Sequence, residues 1–167
     1  MPDMRWVVAV LAGVVLVSAY LVWTAARVER LHSRVAAAAR ALDAHLLRRA
    51  AAAAVLAEER YATELYAAAR IALDAGPEER EAAENDLTRQ LRNMPLAADD
   101  PAVEPVVAAS RRLALARQVH TDLVRDALSA RRRPIVRLFR MARKHERPRY
   151  FDVDDPTLIT QPDLPVG

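Results

Sequence analysis

WVVAVLAGVVLVSAYLVWTAA, from Trp6 to Ala26, runs 21 residues without a charge. As an α-helix rising about 1.5 Å per residue it reaches about 31 Å, close to the hydrocarbon thickness of a bilayer. A helix closes its own backbone hydrogen bonds, so such a segment crosses lipid without leaving polar groups unpaired. Trp6 and Trp23 lie near its two ends, where amphipathic rings settle at headgroup level. Two other readings compete. A cleaved signal peptide would use Arg5 as its basic start and Thr24-Ala25-Ala26 as its cut site. Its apolar region would normally span about 7–15 residues, and this run is longer. A helix buried in a soluble core usually keeps a polar face, which this run lacks. The expectation is a retained transmembrane helix over 6–26, preceded by a short extracytoplasmic tail over 1–5.

Basic residues near the two ends predict the orientation. Before the run stand Arg5 and the α-amino group, offset by Asp3; after it stand Arg27, Arg30, Arg34 and Arg40 against Glu29. Positive residues favour the cytoplasmic side. The N-terminus is therefore expected outside, and the body in the cytoplasm on a single-pass anchor. The chain has no cysteine, so the body needs no disulfide, a weak point in the same direction.

Some 140 residues follow the anchor, about enough for one domain. Glycines are few and aromatics scarce, while Ala, Leu, Arg and Glu abound, a composition that favours helix over sheet. From Val28 to Asp74 no proline or glycine intervenes, which predicts one helix about 70 Å long. Leu31, Val35, Leu42 and Leu46 form its apolar face, and a weaker stripe continues through Tyr61, Leu65, Ala68, Ala69 and Ala72. Gly76-Pro77 ends that helix and begins a second, which runs to about Asn93. Glu78, Glu79, Glu81 and Glu84 crowd its first turns, where the helix dipole favours negative charge; that explanation is preferred to a metal site.

Asp99 or Asp100 caps a third helix, about Ala102 to Arg132, and Pro134 breaks it. A short fourth helix, PIVRLFRMARKH, follows, with Ile135, Leu138, Phe139 and Ala142 on one face. From residue 146 to 167 a proline-rich irregular tail is expected, with Tyr150-Phe151 its aromatic anchor. The fold class is thus all-α: an N-terminal transmembrane helix, then an antiparallel helical bundle over 27–145 with one very long first helix.

Little in the sequence carries chemistry. There is no cysteine nucleophile, G-x-S-x-G elbow, phosphate-binding glycine loop or H-E-x-x-H zinc motif. His32, His45, His120 and His145 show no pairing at three- or four-residue spacing, and no Glu-x-x-His of the di-iron type occurs. They read as surface or boundary residues. No enzyme activity, cofactor or metal is expected. What stands out is charge. Between Arg131 and Arg149 lie nine basic residues and one acid, Glu146, so this segment carries +8 in a chain of +3 and leaves the remainder at −5. Arg131, Arg132, Arg133, Arg137, Arg140, Arg143 and Lys144 are the candidate docking residues. Three uses are open: a solvated face of a helix that packs in the bundle, docking on anionic lipid or an acidic protein partner, and nucleic-acid binding. The last is disfavoured because no stacking platform accompanies the charge.

These residues bring a family into view. The block VERLHSRVAAAARALDAHLLRR, Val28 to Arg49, resembles the stretch that follows the anchor in LemA proteins, through Val35, Ala38, Leu42, Asp43, Leu46, Arg48 and Arg49. A second block lies within Ser110 to Asp152, above all ARQVHTDLVRDALSARRRPIVRLFR and the closing Pro148-Arg149-Tyr150-Phe151-Asp152. The chain departs from the family pattern in Ala50 to Tyr61, at His120-Thr121 and at Ala39, as a diverged member would. The resemblance implies a bacterial cell-membrane protein with a small outside tail and a cytoplasmic antiparallel bundle, and it implies no reaction. The expected role is a non-enzymatic scaffold or adaptor with the lipid bilayer and a protein as partners. The alternatives are a regulatory subunit of a membrane enzyme such as a protease, or a self-assembling coiled structure in which the Ala-rich helix makes a homo-oligomer.

Overall fold

A computed structural model describes residues 2–143 and 145–159, with side chains from Met4 onward. Among the described residues there are five helices and no strand: α1 (Pro2–Glu59), α2 (Thr63–Asp74), α3 (Arg80–Arg92), α4 (Glu104–Arg131) and α5 (Pro134–Leu138). The chain divides into two compact units. One comprises Met1–Ala36 with Leu123–Arg149, the other Ala37–Asp122 with Tyr150–Gly167.

The second unit holds the larger core. Ala50, Ala53, Leu56 and Ala57 of α1 cluster with Leu65, Ala68, Ala69 and Ala72 of α2, Leu87 and Leu91 of α3, and Val103, Val106 and Val107 at α4. Alanine on α1 and α2 lets these helices approach closely, while the leucines fill the space. Each fully buried leucine contributes about 1.5–3 kcal/mol relative to exposure. Leu42 and Leu46 pack with Leu113, and Arg49 bonds Ser110. Partners on α4 thus descend as α1 ascends, the mark of antiparallel helices. Phe151 packs beside Leu42, Leu46 and Leu113.

The expected unbroken helix from Val28 to Asp74 is not what forms. α1 ends at Glu59 in a left-handed cap. Tyr61 takes φ 53°, its N–H donates to Glu58 O at 3.3 Å, and Ala62 N–H donates to Ala57 O at 2.9 Å. This double bond pattern is the Schellman motif, usually built on glycine. A tyrosine there costs about 1–2 kcal/mol of backbone strain, offset by packing Ala62 and α2 against the core. No proline or glycine marks the break.

The other joints fall at the predicted punctuation, although α3 begins at Arg80, so Glu78 and Glu79 precede it and do not sit in its first turns. Ala75 turns extended before Gly76, and Arg80 reaches back to Ala75 O at 2.6 Å and to Asp43 Oδ1 at 2.5 Å. Asp100 accepts from Ala102 N–H at 2.9 Å ahead of α4, and pairs with Arg60.

The tail is irregular but attached as far as residue 159; its expected remainder, 160–167, lies outside the described residues. Asp152 N–H donates to Glu81 Oε1 at 3.1 Å, Asp154 N–H to Asn85 Oδ1 at 2.8 Å, and Arg92 to Asp155 O at 2.6 Å. Glu81, Asn85 and Arg92 lie along α3, so the extended chain runs against that helix. It buries Val153 and Leu158. Of the expected aromatic anchor only Phe151 is partly covered; Tyr150 is 50% exposed.

In the first unit, every side chain described from Met4 to Tyr20 is exposed. Burial begins on one face at half-buried Leu21 and continues through Thr24, Val28 and His32. The apolar run is therefore uncovered by protein along most of its length. It is long and apolar enough to cross a membrane.

Candidate functional site

The expected docking residues belong to the first unit. Pro134 supplies the first turn of α5 and ends the preceding helix, with Arg133 held extended at φ −61°, ψ 133° as a residue before proline prefers. α5 is only five residues long, not the twelve of PIVRLFRMARKH. It stops in a second Schellman turn: Arg140 takes φ 51°, Arg140 N–H donates to Arg137 O at 3.2 Å, and Met141 N–H to Val136 O at 3.1 Å. The turn redirects the chain, so of the predicted stripe Ala142 is buried and Ile135 half-buried, while Val136 takes the buried place expected of Leu138 and Phe139. Val136 and Ala142 pack on Val28 of α1, with Met141 beside them. Leu138 is 76% and Phe139 52% exposed.

The basic residues then separate into two roles. Arg132, Arg133, Arg137, Arg140 and Arg143 are exposed, and Lys144 lies outside the described residues. Arg131 turns inward. Its Nη1 donates to His32 Nε2 at 3.1 Å, His145 O at 3.1 Å and Glu146 O at 3.2 Å. A guanidinium at Nε2 places the His32 proton on Nδ1, which donates to Val28 O at 2.9 Å. The His145 ring stacks on His32 at 4.4 Å between centroids, and its Nε2 lies 2.7 Å from Glu29 Oε2. Arg131 is thus a clasp that holds the end of the basic segment to α1. His32 is 8% exposed and His120 6%, so these two histidines are buried, contrary to the surface reading.

The second unit contains a polar cluster that the sequence did not announce. Arg49, Glu84, Thr88 and Ser110 are all at most 1% exposed. Arg49 Nη1 donates to Glu84 Oε2 at 3.2 Å and to Thr88 Oγ1 at 2.9 Å, while its Nε donates to Ser110 Oγ at 3.1 Å. Arg49 Nη2 and Glu84 Oε1 have no partner. Burial pulls the Arg49 guanidinium below its ordinary value, opposed by the nearby Glu84 charge. Burial likewise pushes the Glu84 carboxyl up to about 7, with Arg49 opposing. Glu84 is accordingly an interior partner, not the dipole-facing surface acid expected from its place near a helix start. One signal was present: Arg49 falls seven residues after Leu42 and three after Leu46, on the buried face. The sealed cluster links α1, α3 and α4 and offers no access to a substrate.

No group of three or more His, Cys, Asp and Glu side chains gathers among the described residues. Open troughs exist instead, one of about 340 Å³ lined by Ala38, Ala41, His45, Arg112, Leu115, Ala116 and Val119. No known family, characterised protein or solved structure matches the chain.

Proposed function

We propose that this chain is a single-pass bacterial cell-membrane protein whose helical body stands at the cytoplasmic face as a non-enzymatic scaffold or adaptor, on a diverged LemA-like plan. One observation carries the reading: α1 leaves its apolar run exposed from Trp6 to Tyr20 and, farther along the same helix, buries Leu42, Leu46 and Leu56. An apolar surface of that length has no protein to cover it, and lipid is the solvent that suits it.

The orientation draws support from the fold as well as from local arginines. Val136 and Ala142 pack on Val28, so the +8 segment lies beside the same end of the run as Arg27, Arg30 and Arg34. Positive charge gathered at one end favours that end inside. The adaptor role draws support from exposed Leu115 and Val119 along their trough, and from the sealing of the buried polar cluster.

A periplasm-active reporter fused after Gly167 tests this in intact bacteria, together with an alkaline carbonate wash of the membranes. A silent reporter with the protein retained in the washed pellet is the expected result. An active reporter, or release by the wash, overturns the topology.

A further inference from the structure

We infer that the segment from Arg133 to Arg143 is a lipid-docking collar that binds the phosphates of anionic lipids in the leaflet where α1 emerges, with Leu138 and Phe139 entering the interface. The inference rests on the membrane reading of α1 and deepens it. Val136 and Ala142 seat the collar on Val28, two residues past the apolar run, or about 3 Å along the helix. That level carries its own interfacial markers: Tyr20 stacks on Trp23 at 6.2 Å, and the Arg27 guanidinium lies 5.7 Å over the Trp23 ring. Aromatic rings with a cation above them suit the headgroup zone.

At that level the collar exposes two large apolar side chains, Leu138 and Phe139, between Arg137 and Arg140. No carboxylate among the described residues pairs with Arg137, Arg140 or Arg143, and from Arg131 to His145 the sequence holds no acid at all. Arg140 also occupies the left-handed position of its turn, where glycine would fit without strain, and there it carries an exposed guanidinium. Apolar residues flanked by unpaired arginines match the boundary between acyl chains and phosphates. A nucleic acid would find one ring, Phe139, and no stacking platform. An acidic protein would have to compete with phosphates that the anchor already holds within reach.

The chain has no cysteine, so a single introduced cysteine reports one site in the full-length protein. Nitroxide labels on Phe139→Cys, Leu115→Cys and Val14→Cys are compared in nanodiscs of phosphatidylcholine alone and of an equal mixture with phosphatidylglycerol. Accessibility to oxygen against a water-soluble nickel chelate reads depth. The label at 139 is expected to favour oxygen in the anionic discs and to shift towards the chelate when Arg137, Arg140 and Arg143 are all changed to glutamine. The label at 115 stays with the chelate throughout. A label at 139 that meets the chelate in anionic discs overturns the collar, provided the one at 14 is lipid-buried. Equal burial at 139 in phosphatidylcholine alone overturns recognition of anionic lipid. A label at 14 that meets the chelate overturns the membrane reading itself.

Discussion

Arg49 shows how one side chain can bind a core together and also endanger it. Its guanidinium bonds Glu84, Thr88 and Ser110 out of contact with bulk solvent. Removing one charge of such a pair leaves the other buried and uncompensated. At pH 8, where the Glu84 carboxyl is ionised, Arg49→Met is expected to destabilise the full chain by about 3–5 kcal/mol, read as a lowered urea midpoint in detergent. Replacing both partners, as Arg49→Met with Glu84→Leu, should recover most of that loss, because an apolar pair of similar volume fills the site without a desolvation penalty. Glu84 also sets a pH dependence. Its carboxyl is pushed up to about 7 from an ordinary 4.5, so the native state keeps a proton that the unfolded chain releases. Its stabilising contribution is complete below about 4.5 and is lost as pH rises through about 7. Wild-type urea midpoints should fall between pH 5 and pH 8, and Glu84→Gln should flatten that slope.

Helix ends carry the next level of information, and here the sequence was legible only where it used ordinary punctuation. Gly76-Pro77 and Pro134 marked real joints because proline and glycine act locally, through fixed φ and a missing donor. The end at Tyr61 was invisible. Its left-handed turn is held by packing of Ala62 and α2 against distant residues, and no short-range signal encodes that. The same blindness lengthened α5 and grouped Leu138 and Phe139 on one face with Ile135 and Ala142. A cap at Arg140 bends the chain one residue after Phe139, so helical periodicity ceases to decide which residues beyond it are buried. Arg49 drew no structural expectation for a related reason, since its register fitted the core while its chemistry suggested solvent. Tyr61→Gly tests the strain directly. The tyrosine is 93% exposed and loses little packing, so the variant should gain about 1 kcal/mol, seen as a raised thermal midpoint. The tail allows another check at this scale. Amides of Asp152 and Asp154 should exchange slowly in hydrogen-exchange measurements, and Glu81→Ala should release the first without the second.

For the whole molecule, the sequence announced the apolar run, the helical class and the concentration of charge, each of which is a property of composition or long periodicity. It did not announce that the charged segment returns to the start of the chain, because the contacts of Val136 and Ala142 with Val28 join residues more than a hundred positions apart. That return has a rotational consequence for α1. Leu21, Thr24 and Val28 face protein, while Val22, Trp23 and Ala26 are left open. The Val28 end of the apolar run therefore has a fixed azimuth. If it spans a bilayer, a second span can approach there only from the Val22–Trp23 side. Spin labels scanned through residues 21–28 should show mobility that rises and falls about every 3.6 positions, lowest on the Leu21–Thr24 side. A single alanine inserted after Ala26 would turn the upstream helix by about 100° and bring a different flank of the apolar run against the arginines.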